Sequence, residues 1–392
     1  MLPTAPLIHD LLNGGFVMSS DHEIKMWTPN TVVLLLLIIA GSGVALFRMT
    51  KGLGAVTNMN DMYPWGFWLG FDLLGGVAMA AGGFIIATAI YLFNWKKYKP
   101  IGRPAILTAF LGYLMAVIAI FLDIGHPFRL WHPSIMWQVH SVMWIVAIHV
   151  ILYTTTLAIE ASPMFFEKVG MKSALNTVNK IMIGAVIFGV MLSTLHQSSL
   201  GALFLIAPSK MSPLWFSTFL PYLFLVSCIA MGMAMVSSET MLSAKAFKHK
   251  IDKEIYFGLA RGMLNTLVIY LILKIFFLFK DAGIGLAFDG SMEANMFLLE
   301  MALGVVIPIL LLANKSIRTN TRGIFAVNIL VIIGVLVNRL NVCIFSQQEF
   351  TTARGANYFP SLMEFLISLG IVALGVFLFK MAAKHLPLFA KA

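Results

Sequence analysis

Ten apolar stretches, each close to the length that crosses hydrocarbon, dominate this chain and narrow its fold to a membrane bundle. They run approximately over 30–48, 65–93, 104–122, 138–158, 181–198, 214–238, 262–280, 294–314, 323–345 and 361–381. About 20 predominantly apolar residues are needed per spanning helix, and only a helix or a closed barrel satisfies its own backbone where water is absent. Of 392 residues 59% are hydrophobic and 11% charged, more apolar surface than a water-soluble fold of this length can hide. The expectation is an all-α, polytopic ten-helix domain over 30–381, with a segment 1–29 before it and a tail 382–392 after it. Nothing is left over for a separate soluble domain, and no convincing repeat is evident. The opening carries Asp10, Asp21 and Glu23 and lacks a basic region followed by a short apolar core, so it does not read as a cleaved signal peptide.

A net charge of +10 would suggest nucleic acid, but the placement of the charges argues against it. The connections after the second, fourth, sixth, eighth and tenth stretches, with the C-terminal tail, hold 18 of the 27 lysines and arginines. Basic loops stay in the cytoplasm, so both termini are expected inside and the Asp123–Pro133 connection and His196 outside, in a bacterial periplasm. Anionic lipid headgroups account for the basic loops. Cys228 and Cys343 both fall in apolar segments, and without closely spaced cysteines the chain is not expected to ligate an iron–sulfur cluster. A P-loop, a GxGxxG turn and an HExxH are also missing, which argues against hydrolysis or nicotinamide chemistry by this chain alone.

Against that apolar background the polar residues stand out. The run from Asp123 to Pro133 gathers a carboxylate, His126, Arg129, Trp131 and His132 in one connection whose two prolines prevent a plain helix. A second compact cluster is His196-Gln197-Ser198-Ser199 at the end of the fifth stretch. Imidazole, amide and hydroxyls suit a ligand with two carbonyl oxygens that become hydroxyls on reduction, although Ser and Gln also serve a helix C-terminus. Asp72, Glu239, Glu300 and Glu364 lie within spans, where each costs a few kcal/mol unless it faces a polar partner inside the bundle. They are candidates for a proton path, the alternative being buried ion pairs or snorkelling ends. Lys274 and Arg339 are expected as counter-charges.

Histidines in a membrane bundle raise the question of haem. The 14-residue step from His126 to His140 resembles the spacing of two stacked haems on one helix, but Pro127 and Pro133 interrupt it. His149, deep in the fourth stretch, has no evident partner at matching depth and reads as a core residue. The chain is therefore expected to lack haem.

Pro64-Trp65-Gly66 with Phe71-Asp72, the Asp123-Ile124-Gly125 turn, His196-Gln197-Ser198-Ser199, and Tyr358-Phe359-Pro360-Ser361 with Glu364 together resemble the HybB branch of the NrfD/polysulfide-reductase-type membrane subunits. The likeness covers nearly the whole chain. It implies a quinone-reactive anchor without a prosthetic group, menaquinone being the expected quinone. The implied partner is a periplasmic ferredoxin-like iron–sulfur subunit linked to a nickel–iron hydrogenase or a multihaem cytochrome c. On this reading Asp123, His126, Arg129, His132, His140, His196, Gln197 and Ser198 form the quinone site, and Asp72, Glu239, Glu300 and Glu364 the proton path. At His126 the chain departs from the family, which often carries arginine there. A transporter that uses the buried carboxylates for an ion or substrate is the rival expectation, marked by helices broken near the bilayer centre.

Overall fold

The computed structural model describes residues 26–389; the acidic opening and the last tail residues lie outside this range. Among the described residues the chain is helical with no strand, and ten helices are long and apolar enough to cross a membrane. They are α1 Pro29–Lys51, α2 Leu69–Leu92, α3 Lys96–Asp123, α4 Val142–Val169, α5 Lys172–Ile206, α6 Leu220–Phe247, α7 Lys253–Asp281, α8 Met292–Ala313, α9 Thr321–Thr352 and α10 Leu362–His385. Most exceed the apolar stretches in the sequence because a helix continues into the headgroup layer, where polar residues no longer penalise it.

Successive helices run antiparallel, so the lysine- and arginine-rich connections gather at one end of the bundle, here called the basic end. α2 to α5 form one four-helix group and α6 to α9 a second, while α1 pairs with α10, which lies on α3. Burial follows this layout: 78% of the most apolar part of α2 is enclosed, against 11% for α1. α2 and α6 meet where Gly82 faces Gly232, and a Cβ on Gly232 would stand 2.7 Å from the Gly82 amide nitrogen. Close backbone approach through small residues is the usual means of packing helices in lipid. The remaining apolar side chains, such as Leu36, Ile39, Ile272 and Leu310, face outward.

Three helices are irregular, α7 only at its end, where a π-helical turn covers Leu278–Ala282. α2 begins as a π-helix over Leu69–Gly75, which carries Asp72, and ends as another over Thr88–Leu92. α8 is α-helical over Met292–Met301, then π-helical over Ala302–Val306, just past Glu300. The connection between α3 and α4 contains a 3-10 turn over Pro127–Arg129 and a short helix over His132–Ile135, the broken course its prolines predict.

Candidate functional site

The polar residues of the spans fall into separate clusters. The first lies between α3, α4 and α5, toward the end opposite the basic one. His196 is completely enclosed there, 0% exposed. The Tyr113 ring lies 5.7 Å from its imidazole and the His149 ring 6.1 Å, while Tyr113 and Tyr153 meet edge-on at 4.7 Å. His149 thus has the partner at matching depth that the sequence did not reveal: α4 and α5 form an antiparallel hairpin that brings the two residues level. The Ser199 hydroxyl donates to the His196 carbonyl oxygen (2.8 Å), so at 3.3 Å His149 Nδ1 is assigned as its donor. Gln197 donates through Nε2 to the Val77 carbonyl of α2, 3.1 Å away, and Ser198 donates back to Thr194 on its own helix.

Several buried atoms in this cluster have no hydrogen-bond partner: both His196 ring nitrogens, Gln197 Oε1, Ser193 Oγ, and the Tyr113 and Tyr153 hydroxyls. Buried polar groups without partners are costly and uncommon, and their concentration marks a place suited to water or a polar ligand. α4 and α5 are packed directly on each other here.

The second cluster sits at the same end, among α1, α2, α3 and α10. Asp123 ends α3, half-buried, and interacts electrostatically with Glu364 and Arg48. The Arg48 guanidinium, 3% exposed, donates to the carbonyl oxygens of Leu122 (2.8 Å) and Ile124 (2.5 Å), joining α1 to the end of α3. The Ser368 hydroxyl donates to the Asp72 carboxylate. Glu364 accepts from the Tyr358 hydroxyl at 2.5 Å, and from the backbone amides of Ser361 at 2.7 Å and Asn58 at 3.3 Å. The Ser361 contact completes a capping box at the start of α10. Burial and the bond to Glu364 push the Tyr358 phenol well above its ordinary value.

Glu300 heads the third cluster, within the α6 to α9 group. Its carboxylate accepts from Trp215 Nε1 (2.9 Å), Asn338 Nδ2 (3.1 Å) and Asn341 Nδ2 (2.6 Å), with Lys274 Nζ at 3.9 Å. Lys274 also donates to the Leu214 carbonyl at 3.2 Å. Arg339 bonds Asn338 and Ser227 rather than a carboxylate, and its guanidinium lies 3.7 Å from the Phe224 ring centroid. A cavity of about 20 Å³, room for roughly one water, borders Glu300, Tyr270, Ser227 and Asn338. Glu239 belongs to none of these clusters. It lies in the basic-end half of α6, and both of its carboxylate oxygens are buried without an aligned hydrogen bond, Ser243 being the neighbouring hydroxyl.

The structure therefore brings Asp72, Asp123 and Glu364 together and joins Glu300 to Lys274, but it separates these two groups from each other and from Glu239. His126, Arg129 and His140 are exposed on the α3–α4 connection and His132 is half-buried, all of them outside the enclosed His196 cluster. Phe128, Trp131 and Trp137 are exposed alongside them. Tyr113, Tyr153, Arg48 and Trp215 did not stand out in the sequence. Tyr113 and Tyr153 look like ordinary aromatic residues within apolar stretches, and Arg48 like a flanking charge at the edge of one.

A ten-helix membrane protein with enclosed, unpartnered polar groups is the class this fold and site define. The chain belongs to the NrfD family: residues 55–351 match its model, described as polysulphide reductase, NrfD. It is 38% identical over 372 residues to a protein of Nitratidesulfovibrio vulgaris, spanning 93% of this chain and 95% of the relative. It is 32% identical over 380 residues to the probable Ni/Fe-hydrogenase 2 b-type cytochrome subunit of Escherichia coli (96% and 94% of the two chains). With the menaquinone reductase integral membrane subunit of N. vulgaris it shares 25% identity over 416 residues, 98% and 96% of the two.

Proposed function

We propose that this chain is the quinone-reactive membrane subunit of a respiratory redox complex in a bacterial inner membrane. The carrying observation is the enclosed cluster around His196, whose imidazole, Tyr113 phenol and Gln197 amide oxygen have no hydrogen-bond partner within the protein. Quinone reduction consumes two electrons and two protons, and the headgroup changes from hydrogen-bond acceptor to donor at both oxygens. His196 and the tyrosine hydroxyls can serve both states, since each can donate and accept. His149 is half-buried beside His196, and on this reading an isoprenoid tail would enter on its side.

The relatives support this reading. One is named for a hydrogenase and another for menaquinone reduction, which fits menaquinone as substrate and an external redox protein as electron source. With its exposed Arg129, Trp131 and His126, the α3–α4 connection is the surface offered to that protein, an iron–sulfur subunit at the periplasmic face. Asp123 lies behind it. Of the expected proton carriers, Glu239 is retained on the cytoplasmic side, while the hydrogen bonds to Glu300 and Glu364 favour anchoring roles.

His196→Ala should leave assembly with partner subunits intact and abolish quinone-linked electron transfer. Near-normal quinone reduction by the assembled variant rejects this site.

A further inference from the structure

Glu160 is buried, 6% exposed, in the half of α4 nearer the basic end, and nothing above uses it. Its carboxylate lies against the backbone of α5: a Cβ on Gly189 would stand 2.5 Å from Glu160 Oε1 and 3.2 Å from the Thr156 methyl. Glycine at 189 is what lets the carboxylate in. Residues three, four or seven apart share one face of a helix, and seven residues advance about 10.5 Å along it. Tyr153, Thr156, Glu160 and Glu167 accordingly form one face of α4. Gly189, Ser193 and His196 form the facing stripe of α5.

The seam between these stripes connects the two ends of the protein. Ser193 neighbours Tyr153 at the level of the His196 cluster, and both hydroxyls lack an aligned partner. Tyr153 and Tyr91 both interact electrostatically with Glu160, and Tyr91 also with Arg103. Arg103 Nη2 bonds Glu167 Oε2 at 2.8 Å, with the two side chains 17% and 30% exposed. This pair stands at the basic end, in reach of the aqueous phase. No other described carboxylate combines burial, a glycine recess and a run of polar groups leading to His196.

We propose that the α4–α5 seam carries protons between the basic end and the His196 cluster, with Glu160 as its carboxyl carrier. The inference rests on the reading of that cluster as the quinone site. For each quinone reduced, two electrons arrive from the external redox protein and two protons from the basic side. Glu160 releases a proton toward Tyr153, Ser193 and His196, which deliver it to a quinone oxygen. It then takes up another past Tyr91. Two such cycles complete the hydroquinone.

The test uses membranes containing the whole complex, reduced methyl viologen as donor and 2,3-dimethyl-1,4-naphthoquinone as acceptor. Glu160→Gln should bind the naphthoquinone as tightly as the parent while turnover falls on the order of 100-fold. Glu160→Asp should recover part of the rate, and Gly189→Ala, which closes the recess, should lower it. Turnover of Glu160→Gln within about twofold of the parent overturns the route. So does a parallel loss of naphthoquinone binding, which marks a structural role. If Glu160→Gln does not accumulate, the unsubstituted complex is treated with a carbodiimide, which modifies buried protonated carboxyls. Labelled Glu160 with lost turnover upholds the route; unlabelled Glu160, or labelling with turnover kept, overturns it. Parent membranes that cannot reduce the naphthoquinone overturn the quinone reading, and the route falls with it, whereas failure of the Glu160 variants alone leaves that reading standing.

Discussion

Two buried glutamates in this protein have opposite surroundings, and the difference bears on the roles proposed for them, an anchor at Glu300 and a proton carrier at Glu239. Glu300 accepts three donors and faces Lys274, so its charge is compensated where it stands. Removing one member of such a group leaves a buried ammonium and orphaned donors, at a cost of about 3–5 kcal/mol. Glu300→Gln should therefore lower the thermal unfolding midpoint in detergent, and adding Lys274→Met should restore part of it. A Glu300→Gln protein as stable as its parent would remove the anchor role. Glu239, whose carboxylate oxygens have no aligned donor and have Ser243 as their polar neighbour, has no comparable set of partners to lose. The sequence made the depth of these residues legible, because position along an apolar stretch is depth. It did not show which neighbour each faces. Glu300 and Glu364 look alike in sequence, yet one binds a tryptophan of the α5–α6 connection and the other caps α10.

At the scale of the element, the beginning of α10 shows what a local motif contributes inside a membrane protein. Ser361 accepts from the Glu364 amide and also donates to the Val56 carbonyl at 2.5 Å, so one hydroxyl both starts the helix and holds the segment before α2. Loss of a serine cap costs about 1 kcal/mol, more where the hydroxyl has a second bond. Ser361→Ala should speed hydrogen exchange both in the first turn of α10 and around residues 56–58; exchange changed in α10 alone would show that the segment is held by other contacts. The Ser-x-x-Glu signature of this cap was readable in the sequence, and the ten spans were readable from hydropathy. The π-helical turns of α2 and α8 were not, since one extra residue in a turn leaves the apolar pattern almost unchanged. They bring Asp72 and the region of Glu300 into irregular backbone, the nearest this protein comes to the broken helices expected of a transporter.

For the molecule as a whole, the asymmetry of charge is the feature with the largest consequence. The connections at the basic end carry most of the lysines and arginines, and the opposite end presents the aromatic α3–α4 connection and the Asp123 cluster. Both the docking of an external redox protein and the direction of proton movement along the α4–α5 seam depend on which end faces the cytoplasm. Retention of basic loops predicts that the basic end does. The protein suits a direct check, because Cys228 and Cys343 are both 0% exposed and should contribute little background to thiol labelling. Met136 is 58% exposed on the α3–α4 connection, and Lys250 is exposed at the basic end. In spheroplasts, a membrane-impermeant maleimide should label Met136→Cys at once and Lys250→Cys only after the membrane is opened. The reverse pattern would invert the molecule. The α3–α4 connection would then face the cytoplasm, the redox partner would have to be cytoplasmic, and the seam through Glu160 would draw its protons from the other side.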